Sequence, residues 1–425
     1  MTAMSAQLNR RSLFLFALYD WANSAYSTLS ITVLVAYIKR LFPDESGVLI
    51  WGWGLGSTMF LSALLSPIAG AIADLNASKR HWLAGTTLAG SAAAMLMFLA
   101  TPERRWLLVV LFLTTSLSFE LAQGFYNAFL PEIADDQQMG QVSAWSYGAG
   151  YVGGGLALLI ALGIFMLGDR LGLPSAGDFR MRLCLLVMGL WWGGFSLPTL
   201  IGLRDKKLPE PRQPIIATAK KAIAEVRRTL VHVRRYRMLA TFLLGFLIFN
   251  DGIQTVISQS SQFGEIVLKM PPQEMLLLVL MIQFVALPGA LAIGWLADRI
   301  GQKPALMVCL SVWIALLGGA FFITSKTQFW GMAVVASLVL GGTQSVSRTI
   351  MGLMTPKKRA AEFFGFFNLS GKATSMFGPL FFSSILAFTG SAHFALLSLL
   401  IFFVLGTLII LPLDVKRGQR EALSA

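Results

Sequence analysis

Charged residues are scarce in this chain of 425 residues, of which only 13% are Asp, Glu, Lys or Arg. Soluble domains contain about 25% of these residues, so the composition excludes an ordinary soluble fold. Apolar residues make up 56% of the chain. They fall into runs of about twenty, which is the length of helix that crosses a bilayer core. The alternating strands of about ten residues that an outer-membrane barrel requires are not found. We therefore predict an all-α membrane protein, because a helix satisfies its own backbone hydrogen bonds in lipid.

Cysteine and histidine are also rare. Cys184 and Cys309 lie in separate apolar runs, and His81, His232 and His393 are scattered. Their spacing matches neither a metal site nor a disulfide framework, so we predict two small buried cysteines and expect no cofactor or metal. A membrane-embedded enzyme is disfavoured, because no nucleophile–base or metal constellation lies at membrane depth. The linker between the halves described below has no G-x-x-x-x-G-K-[ST] motif, which argues against direct ATP drive.

The apolar runs predict twelve transmembrane helices in two sets of six. Their approximate bounds are about 12–38, 48–73, 81–100, 105–129, 141–166 and 181–203, then 238–260, 273–297, 304–324, 329–352, 363–389 and 392–413. The predicted organisation is an amino-terminal half (residues 1–203), a basic linker (204–237) and a carboxy-terminal half with a short tail (238–425). From Ala217 onward the linker is predicted to form an amphipathic helix on the membrane surface.

The net charge of +13 comes from loops, not from a nucleic-acid-binding face. Lys and Arg concentrate in the linker, in Arg10 and Arg11, and in the tail residues Lys416, Arg417 and Arg420. The positive-inside rule then places both termini in the cytoplasm. The first apolar run is long and lacks a small-residue cleavage site, so it is predicted to be a retained helix. We expect an integral protein of the cell inner membrane, in contact with membrane lipids, without a nucleic-acid partner and monomeric.

A repeated motif follows predicted helices 2 and 8. The first copy reads GAIADLNASKR from Gly70, and the second reads GWLADRIGQKP from Gly294. A weaker echo pairs Pro131 with Pro356, at nearly the same spacing. The spacing predicts a duplicated six-helix unit with two parallel halves. An Asp at a helix end can hold neighbouring helix amino termini and basic residues, so a gating latch is predicted. Its residues are Asp74, Lys79, Arg80, Asp298, Arg299 and Lys303.

Five ionisable residues lie at predicted membrane depth: Asp20, Glu120, Asp251, Arg348 and Lys372. Each costs about 2.5–3.5 kcal/mol on insertion scales, so each requires a partner or a function. The first four fall one each on predicted helices 1, 4, 7 and 10, and all five belong to polar stripes with helical spacing. The candidate substrate- or proton-binding residues are Asp20, Asn23, Tyr26, Glu120, Gln123, Asn127, Asp251, Gln254, Gln344, Arg348, Asn368 and Lys372.

Polar faces with charges of both signs suit a zwitterion in a hydrated cavity. A partly desolvated carboxylate takes up a proton more readily than one in water, so Asp20 and Glu120 are also candidates for proton coupling. In the alternative interpretation the charges pair with one another and only hold the helices in register. For Arg348, near the end of its helix, a further alternative is that the side chain extends to the membrane interface.

The glycines of predicted helix 5 lie within a spanning segment rather than between a strand and a helix. We therefore predict close packing against a neighbouring helix, not phosphate binding. These glycines are Gly148, Gly150, Gly153, Gly154 and Gly155. In predicted helix 11, Gly371, Gly378 and Pro379 are expected to allow packing and a bend.

The repeated G-x-x-A-D-x-x-x-x-K pattern resembles the signature of the major facilitator superfamily, although Leu75 and Ala77 stand where Arg and Gly are usual. Further stretches resemble its vacuolar-effluxer-like branch, which includes the autophagy-related vacuolar amino-acid effluxers of fungi. They are YDWANSAYST from Tyr19, VSAWSYGAGYVGGGLALL from Val142, FNDG from Phe249, GGTQSVSR from Gly341 and AEFFGFFNLSGKATSMFGPL from Ala361.

The resemblance spans nearly the whole chain. It implies the major facilitator fold and a secondary transporter that works by alternating access around a midplane site. It suggests a small-molecule substrate of the amino-acid class and identifies no binding residue. The alternatives are an exporter of lipid or drug-like compounds and a non-transporting receptor or scaffold. An intact pair of latch motifs and five polar helix faces favour transport, because a scaffold requires neither.

Overall fold

The computed structural model describes residues 10–76, 78–174, 178–205, 215–372 and 377–424. Regular structure in these ranges is entirely helical, which confirms the predicted fold class. The helices form two six-helix halves joined by a linker helix. In the amino-terminal half α1 comprises Arg10–Leu29, a π-helical turn at Ser30–Leu34 and Val35–Leu41. It is followed by α2 (Glu45–Leu75), α3 (Lys79–Leu96), α4 (Arg105–Asn127), α5 (Met139–Met166) and α6 (Phe179–Gly202).

The linker helix (Ile215–Val231) and a 3₁₀ turn (Val233–Tyr236) lead into the carboxy-terminal half. This half contains α7 (Arg237–Leu268), α8 (Pro272–Ile300), α9 (Gln302–Ala320) and α10 (Lys326–Leu353). The structure describes α11 in two parts, Ala360–Lys372 and Phe377–Thr389, and α12 as Ala392–Ser398 and Leu400–Ile410. A tail helix (Val415–Leu423) follows.

Ten of the helices in the described ranges are long and apolar enough to cross a membrane. The other two of the twelve are α1, which contains the π-helical turn, and α11, which is described in two parts. The predicted end of helix 7 near residue 260 is too early, since α7 continues to Leu268. Its last turns are rich in polar residues, but Phe263 and Leu268 are buried. Packing of these two side chains therefore extends the helix beyond the point where the sequence turns polar.

Glycines bring α5 close to two other helices, as predicted. A Cβ atom added to Gly153 would lie 2.4 Å from the backbone oxygen of Trp21 in α1. One added to Gly148 would lie 2.5 Å from a methyl group of Leu287 in α8. Because α8 belongs to the other half, α5 packs both within its own half and across the boundary. The prediction for Cys184 is confirmed too: it is buried and free, as is Cys309.

The linker helix packs on the end of the bundle where α2 ends and α7 begins. We call this the linker end. Ala222 of the linker helix is fully buried against Ala71 and Ile72 of α2. The hydroxyl of Thr229 donates a hydrogen bond to Glu362 Oε1 in α11, at 2.7 Å. The predicted helix in the linker is therefore present, and it contacts both halves.

Candidate functional site

Asp20 of α1 and Arg348 of α10 form a buried ion pair between the two halves. Arg348 Nη1 lies 2.9 Å from Asp20 Oδ2, and the two side chains are 1% and 7% exposed. The guanidinium also donates to Asn127 Oδ1 of α4 at 3.3 Å, and to the hydroxyl and backbone oxygens of Ser143 of α5 at 3.0 and 2.9 Å. Because Arg348 is enclosed in the bundle, the alternative that it extends to the membrane interface is wrong.

Hydroxyl and aromatic groups surround this ion pair. Ser146 donates a hydrogen bond to Asp20 Oδ2 at 2.5 Å, and the hydroxyls of Ser146 and Tyr126 lie 2.6 Å apart. The ring of Tyr147 stacks against the Arg348 guanidinium, 4.0 Å from its central carbon. A buried ion pair is stable only when its remaining donors and acceptors are also bonded. The surroundings of Asp20 and Arg348 meet that requirement.

Residues of α5 complete the site, and the sequence prediction missed them. Ser143 and Ser146 contact the ion pair, and the Tyr151 hydroxyl donates to Gln344 Oε1 of α10 at 2.7 Å. Ser146 and Tyr147 lie three and four residues after Ser143, and Tyr151 lies four after Tyr147, which places all of them on one side of the helix. That spacing is the signal that could have identified them. The intervening glycines, interpreted as packing residues, obscured it.

A second contact between the halves joins α4 to α11. Asn368 Nδ2 donates to the backbone oxygen of Glu120 at 3.2 Å, and the Glu120 side chain is buried. Gln123, one turn away, is half-buried. The structure therefore joins Asn368 to the backbone of Glu120 at the boundary between the halves. Lys372 ends the first described part of α11, but its side chain lies outside what the structure describes.

Asp251 of α7 bonds to the backbone of α11. Its Oδ2 accepts a hydrogen bond from the Gly378 N–H at 3.1 Å, in the first turn of Phe377–Thr389. Its neighbour Asn250 donates from Nδ2 to the backbone oxygen of Gly371 at 3.0 Å. Adjacent residues of α7 thus hold both described parts of α11, while Gln254 is half-buried on the same helix.

Tyr26 lies apart from the ion pair, within the amino-terminal half. Its hydroxyl is 2.6 Å from the hydroxyl of Ser116, and its ring packs on Phe119 and Trp192. Asn23, on the neighbouring face of α1, is buried, and its Nδ2 has no hydrogen-bond partner among the described residues. The structure therefore joins Asp20, but not Tyr26, to the contacts between the halves.

The first copy of the repeated motif lies across the two halves at the linker end. Asp74 accepts hydrogen bonds from the backbone N–H groups of Ala361 and Glu362, at 3.2 and 2.9 Å. These are the second and third residues of α11, so the carboxylate of one half caps a helix of the other. Lys79 Nζ lies 3.7 Å from Asp74 and pairs with Glu132 after α4.

The second copy meets α5 in a related way. A carboxylate oxygen of Asp298 lies 2.9 Å from the position of a Cβ on Gly140, in the first turn of α5. Each motif aspartate is thus placed at the amino terminus of a helix from the other half, which agrees with the predicted duplication.

The remaining latch candidates bind within their own half. Arg80 Nε donates to the backbone oxygen of Leu200 at 2.5 Å, and Lys303 Nζ donates to that of Leu411 at 2.6 Å. Arg80 therefore binds the end of α6, and Lys303 binds the chain just after α12. The Arg299 guanidinium stacks on the ring of Trp295 at 3.8 Å.

Asp205, which follows α6, lies beside the backbone of Arg80. The Arg80 N–H donates to its carboxylate at 3.2 Å. Burial raises the pKa of the Asp205 carboxyl above its ordinary value, and this hydrogen bond opposes the shift. The end of α6 is therefore held at the start of α3 by charge and by hydrogen bonds.

Residues 55–423 match the model of the family described as "Vacuole effluxer Atg22 like". The chain belongs to this family. The Atg22-like resemblance expected from the sequence is thereby confirmed. Among relatives, the uncharacterized MFS-type transporter YxiO of Bacillus subtilis is 32% identical over 403 residues, which is 93% of each chain. Autophagy-related protein 22 of Kluyveromyces lactis is 23% identical over 421 residues, covering 92% of this chain and 84% of the relative.

Solved structures with the same fold are major facilitator transporters. A bacterial homologue of the iron transporter ferroportin, in an outward-facing state, superposes with a TM-score of 0.69 at 14% identity. The superposition covers 96% of this chain and 99% of that one. The E. coli fucose:proton symporter FucP gives 0.71 at 12% identity over 95% and 98% of the chains. This Atg22-like protein is thus an integral membrane protein with the major facilitator fold, and it is an MFS-type transporter.

The contact of Asp74 with α11 gives a testable prediction for this Atg22-like protein. Asp74→Ala removes the acceptor for two helix-terminal N–H groups, which costs about 1 kcal/mol at an ordinary cap. We expect a lower unfolding temperature and greater exposure of the first turn of α11. The measurement is thermal unfolding together with amide hydrogen exchange of residues 360–366.

A matched control is available in the tail helix. Asp414 caps that helix by accepting from the Arg417 N–H at 3.0 Å, so this cap joins two residues of the same half. Asp414→Ala removes the same type of cap, so it is expected to lower stability without altering exchange in α11. Equal exchange of α11 in the two variants would contradict a role for Asp74 in closing the linker end.

Proposed function

We propose that this protein is a secondary transporter of small polar solutes, of the amino-acid class or similar zwitterions, that works by alternating access. The observation that carries the proposal is the buried Asp20–Arg348 pair, whose members come from opposite halves. An ammonium group on a solute can replace the guanidinium at Asp20, and a carboxylate can replace Asp20 at Arg348. A zwitterion offers both replacements, so its binding opens the pair without leaving either charge buried and uncompensated.

Closure of the linker end supports the alternating-access part of the proposal. Asp74, Arg348 and Thr229 all take part in contacts that join the two halves or the linker to them. These contacts must separate when the linker end opens. We also propose that both termini and the linker lie in the cytoplasm of an inner-membrane protein, so that the closed linker end is the cytoplasmic end. All groups of the site come from one chain, so a monomer suffices.

Proton coupling follows from the same pair. Protonation of Asp20 removes the charge that holds Arg348, so a proton and a substrate compete for the same opening step. Glu120, also buried at the boundary, is the second candidate for a transported proton. In the coupled mechanism, Asp20→Asn with Glu120→Gln would remove proton-driven uptake. Uptake that still followed the pH gradient in this double variant would contradict the coupling.

Counterflow in proteoliposomes tests the proposed substrate class. Liposomes loaded with a pooled amino-acid panel would be diluted into a radiolabelled member of the panel. We expect exchange by the native protein and its loss in Asp20→Asn. The matched control is Asp136→Asn, whose carboxylate is 56% exposed near the linker end, and which is expected to exchange normally.

Three results would contradict parts of the proposal. Absence of exchange across the panel, with correctly folded native protein, would remove the amino-acid class. Undiminished exchange by a folded Asp20→Asn variant would remove the ion pair from the substrate site. Equal loss in Asp136→Asn would show a general effect of charge removal and would contradict the specific role of Asp20.

A further inference from the structure

A groove at the linker end is separate from the site between the halves. Three elements form it: the 3₁₀ turn before α7, the first turns of α7, and the tail helix. Three of its lining residues are arginines, and the others are small or apolar with one threonine. The lining residues are Val233, Arg234, Arg237, Ala240, Thr241, Leu244 and Arg417.

The positive charge of this groove is largely uncompensated. The side chains of Arg234 and Arg237 are exposed and pair with no carboxylate in the described part of the chain. Arg417 Nε donates to Glu421 Oε1 at 3.2 Å. Glu421 is engaged on its other side as well, because its Oε2 accepts from the Met238 N–H at 3.0 Å. Among the described residues, Glu421 is the one carboxylate that forms an ion pair with a groove arginine, and that arginine is Arg417. The excess of positive charge favours an anionic ligand in this groove.

The apolar wall indicates the kind of anion. Leu244 is 52% exposed and Val233 is 45% exposed. Ala240 and Leu244 are one turn apart on α7, so the wall runs from the arginines along a membrane-spanning helix. A soluble phosphate compound would leave this surface unused. A phospholipid would place its phosphate at the arginines and an acyl chain on the wall.

We propose that this groove binds an anionic phospholipid through its phosphate group. Arginine suits this role because its planar guanidinium bonds phosphate oxygens in pairs. Basic residues at a membrane surface also attract anionic lipid, so the three arginines act in the same direction. The inference does not depend on the transported substrate, since no groove residue belongs to the Asp20–Arg348 site.

Native mass spectrometry of the full chain in detergent tests the proposal, with phosphatidylglycerol titrated against phosphatidylcholine. We expect selective retention of phosphatidylglycerol. In Arg234→Gln/Arg237→Gln/Arg417→Gln its affinity should fall roughly a hundredfold, with about a fivefold loss for each arginine. The single variant Arg234→Gln, in an exposed turn, should show about that fivefold loss and covers the case in which the triple variant does not fold.

The matched control removes three exposed arginines of the linker region that do not line the groove. This variant is Arg227→Gln/Arg228→Gln/Arg235→Gln, which has the same net charge as the groove variant. It is expected to retain the lipid. Equal loss from both triple variants would show a general effect of charge and overturn the site. Displacement of phosphatidylglycerol by an equal concentration of soluble glycerol phosphate would assign the groove to free phosphate compounds instead.

Discussion

Replacing Arg348 with glutamine is expected to abolish transport and to destabilise the fold. Asp20 would remain buried with its charge uncompensated, and breaking one side of a buried ion pair costs about 3–5 kcal/mol. The variant also leaves acceptors on Asn127 and Ser143 without the guanidinium. The measurements are thermal unfolding in detergent and counterflow with the solute that the native protein exchanges.

The double variant Asp20→Asn/Arg348→Gln separates folding from function. Removing both charges eliminates the uncompensated one, so most of the lost stability should return. Transport should stay absent, because neither the ammonium nor the carboxylate of a zwitterion then finds its charged partner. Full transport by the double variant would show that the pair only holds α1 and α10 in register.

Lys357→Gln is the matched control for this experiment. Lys357 Nζ lies 3.9 Å from Asp136 across the same boundary, but both side chains are more than half exposed. Exposed ion pairs contribute about 0–1 kcal/mol. Lys357→Gln should therefore change neither the unfolding temperature nor counterflow appreciably. A loss as large as that of Arg348→Gln would point to a general sensitivity of the boundary to charge.

The sequence was most informative about charged residues, because burying a charge at membrane depth costs free energy. Asp20 and Arg348 were candidates because charges are rare at membrane depth, and the structure places them in one ion pair. Tyr26 was a candidate on the same predicted helix as Asp20, but it faces Ser116 in its own half. Spacing gives the face of a helix. It does not tell which neighbouring helix that face meets, and this depends on packing across the whole bundle.

The repeated motif shows a second limit of the sequence argument. Its two lysines occupy identical offsets, so both were predicted to belong to the latch. Lys79 pairs with Glu132, the residue after Pro131. The residue after Pro356 is Lys357, which carries the same charge as Lys303. Lys303 has no corresponding carboxylate there and binds the backbone of Leu411 instead. The two lysines share an offset, but the residues at the matching partner positions differ in charge, and the contacts differ with them.

Replacing Gly70 with valine is expected to shift the protein towards a state that is open at the linker end. A Cβ atom on Gly70 would lie 2.2 Å from the backbone oxygen of Ala361 in α11. Backbone atoms of a packed helix cannot move aside locally, so α2 and α11 must separate. Overpacking of this kind costs about 1–3 kcal/mol. This cost destabilises only the state in which the linker end is closed. The open state should therefore become roughly ten to a hundred times more populated relative to the closed one.

Alkylation of a cysteine at position 66 measures this shift. Ser66 is buried in the same contact between α2 and α11, and Cys184 and Cys309 would first be replaced by serine. With Ser66→Cys as background, Gly70→Val should speed maleimide labelling by roughly the same factor as the population change. Gly85→Val is the control, because a Cβ on Gly85 meets no atom within 4 Å. Unchanged labelling in Gly70→Val, with a folded protein, would mean that the contact between α2 and α11 accommodates the valine side chain while the linker end is closed. In that case, close packing in the closed state would not explain why the repeated motif has a glycine at position 70.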